Sequence, residues 1–208
     1  MKIISVTGAE SSIGKTYVVC SLLKFLPGWA ALKITRCFDG RCPRGKNCSV
    51  CNSLDREFLL EEDSLIINQK NTDTERMQQA GAGKVIWLKT KKESLNKAID
   101  ISLGYLADFP GLIIEGNSYL EAHSADLSIM IIRDIMKLKP SAMHIKDRID
   151  IFLIRKNNKD NYELNKNIFI DKDCIFLPEN DEKLMYDNSN INFSWVNNII
   201  ERLKIVKR

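Results

Sequence analysis

The stretch that decides the fold is Ile3-Ile4-Ser5-Val6-Thr7-Gly8-Ala9-Glu10-Ser11-Ser12-Ile13-Gly14-Lys15-Thr16-Tyr17-Val18. A short apolar run ends at Gly8, a small-residue loop follows, and Val18, Val19, Leu22, Leu23 and Leu26 then recur at helical spacing until Pro27-Gly28. Ala9 to Thr16 fits the phosphate-binding loop, with Ala where the first Gly is usual. Strand, loop and helix are the context that motif needs. A loop whose N–H groups point inward at the positive end of a helix forms a nest for phosphate oxygens. Ser11, Ser12, Ile13, Gly14, Lys15, Thr16 and Tyr17 are therefore the candidate nucleotide-binding residues. Lys15 is assigned the β- and γ-phosphates and a catalytic role, and the Thr16 hydroxyl a Mg²⁺ ion.

Working outward, strands and helices alternate. Residues 29–35 read as a second strand, 84–88 as a third, and Leu112–Glu115 and Leu127–Ile132 as interior parallel strands. Ile149–Ile154 is a further strand candidate, with Ile168–Ile170 and Ile175–Leu177 weaker ones. Helices are expected within 54–67, near 73–81, over 93–107 and over 194–206. The fold class is α/β, a mostly parallel sheet with helices on both faces. The 208 residues suffice for one sizeable core, so the reading is a single nucleotide-binding domain over 1–208 with a cysteine-rich loop at 36–52.

A second acid belongs to the site. Glu115 ends an apolar strand and precedes Gly116, and ligands of open α/β sheets bind beyond the carboxyl ends of strands. Its expected role is to hold Mg²⁺ or its water shell, or to orient the attacking water.

Cys37, Cys42, Cys48 and Cys51 are spaced C-x4-C-x5-C-x2-C. Four thiolates in a short loop can close a zinc site or ligate an iron–sulfur cluster, and the spacing matches neither a zinc ribbon nor a ferredoxin. Cys20 and Cys174 fall on apolar elements and read as buried hydrophobes. His123 and His144 have no partner at ligand spacing.

Net charge is +4, from 31 Lys and Arg against 27 Asp and Glu, with no basic patch interleaved with aromatics, so nucleic acid is not an expected partner. No apolar run approaches the ~20 residues that cross a bilayer, and the start is too short for a signal peptide. The expectation is a cytoplasmic protein without a membrane partner.

These residues carry two family resemblances. The loop, with an acid at Glu10, resembles that of dethiobiotin synthetases, where an acid at this position helps hold Mg²⁺; the alternative for Glu10 is a solvated loop glutamate. Thr72-Asp73-Thr74-Glu75-Arg76-Met77-Gln78-Gln79-Ala80-Gly81-Ala82 resembles a segment of the GTP-binding accessory protein of molybdopterin-guanine dinucleotide biosynthesis. Lys33 ends the second strand, as a lysine does in both families, and both carry a Glu-Gly step like Glu115-Gly116. The resemblance spans about residues 1–132. It implies a P-loop fold of the signal-recognition/MinD class, binding of ATP or GTP, and a role in maturing a metal-containing cofactor or enzyme. It also tilts the cysteine site toward iron–sulfur over zinc, and it makes a client metalloenzyme or cofactor-biosynthesis protein the expected partner, with a homodimer left open. Cys37 departs from the histidine usual near that point in the accessory family, and Ile34-Thr35 depart from the synthetases. Asn157-Asn158-Lys159-Asp160 only loosely resembles a guanine-reading signature. Two classes of function follow: a Mg²⁺-dependent NTP hydrolase, with a dethiobiotin-synthetase-like ligase as its enzymatic alternative, and a nucleotide-gated binding module with little hydrolysis.

Overall fold

The computed structural model describes residues 1–37, 54–133, 138–155, 173–177 and 194–205. Its strands are β1 (Lys2–Gly8), β2 (Ala30–Arg36), β3 (Phe58–Glu61), β4 (Val85–Thr90), β5 (Gly111–Glu115), β6 (Leu127–Ile132), β7 (Ile151–Arg155) and β8 (Asp173–Leu177). Its α-helices are α1 (Lys15–Phe25), α2 (Ser64–Ile67), α3 (Asp73–Gln79), α4 (Leu95–Tyr105), α5 (Pro140–Met143) and α6 (Ser194–Ile205). One sheet joins all eight strands in the order β3-β4-β2-β5-β1-β6-β7-β8. Every pairing is parallel except β3 with β4. The α/β expectation holds.

The strands are apolar on both sides because both sides are covered. Ile4, Val6, Ala31, Ile113, Ile129 and Leu153 face a core closed by α1, α3 and α6. Leu32, Ile86, Ile114, Met130 and Ile154 alternate to the other face, under Ala98 and Ile99 of α4 and Ala142 of α5. Each fully buried Leu, Ile or Val contributes roughly 1.5–3 kcal/mol, so these two layers supply the driving force for the sheet.

The expected helix within 54–67 is a correction. Phe58–Glu61 pairs with β4 instead, and only one helical turn, Ser64–Ile67, follows. An open β4 edge offers a row of backbone donors and acceptors, and a helix here would have had no second apolar face to bury. Leu65 is 83% exposed. The short turn survives because Asp63 accepts from the Leu65 N–H at 2.8 Å. The helix near 73–81 is found as α3, capped by Thr72, whose hydroxyl accepts from the Glu75 N–H at 3.2 Å. Ile168–Ile170 lies outside the described residues.

Gly111, at the start of β5, lies against the indole of Trp29. A Cβ there would fall 2.2 Å from the ring. Gly111→Ala is expected to destabilise the fold by about 1–3 kcal/mol through overpacking, read as a lowered urea midpoint at unchanged slope.

Candidate nucleotide and metal site

β1 delivers Gly8 to the loop, and α1 begins after Gly14, which has φ 101°. Ser12 has φ 57°. These two left-handed residues turn the backbone between strand and helix, and Gly14 does so without steric cost. Gly8 is required for a different reason. A Cβ on it would lie 2.6 Å from Ile13 Cγ2 and 3.2 Å from Lys15 Cγ, so the Lys15 stem packs directly over the Gly8 backbone. Ser11 and Ser12 are exposed, while the side chains of Ile13 and Tyr17 are buried in the core. Any ligand contact by Ile13 or Tyr17 is left to the backbone. Tyr17 packs on Trp195 of α6, with ring centroids 6.1 Å apart.

The sheet brings the acids to the loop. Val6, Glu115, Lys33 and Trp87 occupy one row across β1, β5, β2 and β4. The Thr16 hydroxyl donates to Glu115 Oε2 at 2.9 Å. Lys33 Nζ lies 3.7 Å from Glu115 Oε1 and also bonds Asp73 at the start of α3. Arg76 stands 3.9 Å from Asp73. Burial pushes the Asp73 carboxyl upward, but Lys33, a hydrogen bond with Thr16 and then Arg76 outweigh it and hold it below the usual carboxylate range. One hydroxyl and two carboxylates thus converge beside the phosphate loop. Oxygen donors of this kind suit a hard cation such as Mg²⁺.

Glu10 stands elsewhere. Its carboxylate pairs with Arg133 at 3.4 Å, where both side chains are well exposed. Asp73, at the start of α3, joins Glu115 through Lys33, which contacts both carboxylates. Cys20, on α1, is buried, and its thiol is pushed up to about 12, by burial first and then by Glu115. It is a protonated core residue, as expected. His123 bonds Asp100 at 2.9 Å and stacks on Tyr119. Cys37 is buried just beyond β2, with its N–H donating to Thr90 O at 2.8 Å. Cys42, Cys48, Cys51 and the Asn157–Asp160 run lie outside the described residues, as does the side chain of Cys174. Among the described residues no group of three or more His, Cys, Asp or Glu forms a metal site.

Three residues that hold the loop had no signal in the sequence. Asn117 accepts from the Gly8 N–H at 3.0 Å and donates to Gly8 O at 3.1 Å. Arg155, ending β7, donates to Ile13 O at 3.2 Å. The Lys139 N–H donates to Ala9 O at 2.9 Å. Each is an isolated polar residue far away along the chain, and only the strand order brings it to the loop.

The chain matches no protein-family model and no curated protein sequence. It does match solved structures. One is HypB from Helicobacter pylori in complex with nickel, at 14% identity and TM-score 0.55, covering 99% of this chain and 88% of that one. Another is the MinC:MinD cell division protein complex of Aquifex aeolicus, at 12% identity and TM-score 0.52, covering 99% and 96%. The likeness is one of fold: this chain has the P-loop NTPase fold, a mostly parallel sheet with helices on both faces.

Asn117 is 7% exposed and satisfies both backbone groups of Gly8. Asn117→Leu is expected to cost about 1–3 kcal/mol for each group left unpaired, measured by denaturant unfolding. An unchanged midpoint would mean that the loop is held by its other anchors alone.

Proposed function

We propose that the chain is a Mg²⁺-dependent nucleoside triphosphate-binding and hydrolysing accessory protein. The observation that carries this reading is the convergence of Thr16, Glu115 and Asp73 beside a loop turned by Ser12 and Gly14. Loop amides and the first turn of α1 take the phosphates, and Lys15 neutralises the β- and γ-oxygens. Thr16, Glu115 and Asp73 hold the ion. When bound, Mg²⁺ supplies positive charge to the phosphate oxygens as the terminal phosphoryl is transferred. Lys33 contacts both acids and holds them in place, and Glu115 would orient water beside the bound ion. Both ATP and GTP fit this reading, because nothing in the loop reads the base.

We also propose that Cys37, Cys42, Cys48 and Cys51 bind one metal centre, iron–sulfur in preference to zinc, and that the protein assists maturation of a metal-containing cofactor or enzyme. Support comes from the four clustered cysteines, from the resemblance over residues 72–82, and from the position of Cys37 at the carboxyl end of β2. HypB from Helicobacter pylori, on the same fold, is seen in complex with nickel, but fold likeness at 14% identity carries no client over to this chain. No helix among the described residues is long and apolar enough to cross a membrane.

The test of the nucleotide site is equilibrium binding of ATP and GTP with and without Mg²⁺. Lys15→Ala is expected to lose triphosphate affinity by about 100-fold or more while its unfolding free energy stays within about 0.5 kcal/mol of wild type. Glu115→Gln should retain nucleotide but lose Mg²⁺-dependent turnover. Undiminished affinity in folded Lys15→Ala overturns the phosphate-loop assignment. Tight binding without turnover in the wild type, with or without candidate clients, moves the reading to a nucleotide-gated module.

For the cysteines, anaerobic preparation should yield either iron with sulfide and broad visible absorbance, or one colourless zinc per chain. Replacing any two of the four with Ser should remove it, and Cys20→Ser or Cys174→Ser should not. Metal-free protein with all four thiols alkylated, prepared without chelator or oxygen, would sink the cysteine site.

A further inference from the structure

Lys33 stands where a shared ion would stand. Its backbone is fixed inside the sheet, opposite Glu115 of β5 on one side and Trp87 of β4 on the other, so only the side chain can move. That side chain is 13% exposed, and its ammonium lies between two acids. It bonds Asp73 Oδ2 and lies 3.7 Å from Glu115 Oε1. The two remaining oxygens are met as well. Glu115 Oε2 accepts from the Thr16 hydroxyl at 2.9 Å, and Asp73 Oδ1 lies 3.9 Å from Arg76 Nη1. All four carboxylate oxygens of the candidate ion site therefore face a hydroxyl or a cation of the chain itself.

Such a group cannot take a divalent ion as it stands. An ion shared by Glu115 and Asp73 needs an oxygen from each, and the Lys33 ammonium already bridges them. The two carboxylates are matched by two cations, Lys33 and Arg76, so the group offers a free ion little net negative charge. Like charges this close in a largely buried place repel strongly, and Lys33 and a divalent ion therefore exclude each other. A pair that served the fold alone would need one acid. Lys33 instead divides its ammonium between the acid that ends β5 and the acid that opens α3, the two that the ion would share. A triphosphate changes the balance. It adds negative charge beside the group, which offsets the displaced ammonium, and it supplies the ion with phosphate oxygens.

We propose that Lys33 is a built-in counter-ion that occupies the divalent-ion position in the nucleotide-free protein, so that the metal enters only together with a nucleoside triphosphate. The inference deepens the proposed function and rests on its assignment of Glu115 and Asp73 to the ion. Lys33 acts through the acids and is a positioning residue. Exchanging it for a neutral residue leaves two carboxylates facing one place with no ammonium between them. The substitution should therefore create metal binding rather than abolish it, which loss of a merely structural lysine would not do.

The experiment is equilibrium dialysis of Mn²⁺, which shares the preference of Mg²⁺ for oxygen ligands, against wild type, Lys33→Met, Lys33→Gln and Lys33→Met combined with Glu115→Gln. Each protein is measured with and without ATP. Wild type is expected to retain Mn²⁺ in the presence of ATP and to bind it about tenfold or more weakly without. Lys33→Met and Lys33→Gln should bind Mn²⁺ without nucleotide about 10–100-fold more tightly than wild type does, and adding Glu115→Gln should remove that gain. Lys33→Gln keeps a hydrogen-bond donor for the acids and carries the test if the methionine variant does not fold, and the wild-type arm needs no substitution. Wild type that binds Mn²⁺ equally with and without ATP overturns the exclusion. Folded Lys33 variants that bind Mn²⁺ alone no more tightly than wild type also overturn it, while wild-type retention of Mn²⁺ with ATP leaves the ion site itself standing. A gain that persists with Glu115→Gln puts the ion elsewhere and overturns the assignment of Lys33. Wild type and variants that retain no Mn²⁺ with or without ATP remove the ion site and the role of Lys33 together.

Discussion

The insertion of β5 between β1 and β2 is the constraint on which the site depends. The chain forms β1, crosses to β2 and β4, and only then returns to fill the gap beside β1. That return sets Glu115 opposite Val6 on one side and Lys33 on the other. If β2 lay directly against β1, Glu115 would end an outer strand and could not reach the Thr16 hydroxyl. The same insertion carries Gly116 and Asn117 past the end of β1. Gly116 donates its N–H to Val6 O at 3.1 Å and has φ 143°, a conformation that brings it close to Ile34 O and that a side chain would resist. One strand placement thus fixes an acid, a loop anchor and a turn.

Lys33 explains how two acids can stand together in a largely buried place. Glu115 is 6% exposed. Two like charges brought near one another repel unless a cation lies between them. Lys33 contacts both, and the net lowering of Asp73 against the push of burial shows which influence wins. A buried ion pair of this kind adds little net stability, because desolvation offsets attraction. Its value is positional. It keeps the carboxylate oxygens aimed at the loop, where a hard cation would take them.

The loop and the parallel sheet were legible because both depend on local patterns: an apolar run stopped by Gly8, a Gly-Lys-Thr step, and a helical stripe from Val18 to Leu26. The segment 54–67 was misread because its apolar residues suit either state, and the deciding partner, the β4 edge, is distant in sequence. Asp73 and Lys33 were visible as members of matching segments. Their meeting beside Glu115 was not visible, since it follows from strand order rather than spacing. Asn117, Arg155 and Lys139 are single polar residues without a motif, and no reading of neighbours along the chain could have found them. Three of the four clustered cysteines lie outside the described residues, so that expectation keeps the standing the sequence gives it.

The fold is shared with proteins as different as HypB and MinD, so whatever distinguishes this chain lies in what leaves the carboxyl edge of the sheet. Two neighbouring exits are tied to each other there. Arg36, ending β2, donates through Nη1 to both carboxylate oxygens of Glu121, at 2.9 and 3.1 Å, and Glu121 closes the 3-10 turn Asn117–Glu121 that follows Glu115. The next residue, Cys37, is fixed by its own backbone bond to Thr90. The start of the cysteine stretch is thereby fastened to the turn that carries Asn117, and Asn117 is fastened to Gly8. The chain itself, together with the Arg36–Glu121 and Asn117–Gly8 hydrogen bonds, therefore connects Cys37, Arg36, Glu121, Asn117 and Gly8, the residue just before the phosphate loop. This is the physical link that a metal-bearing loop and a nucleotide site on this sheet would share, and neither family resemblance nor the likeness of fold supplies it.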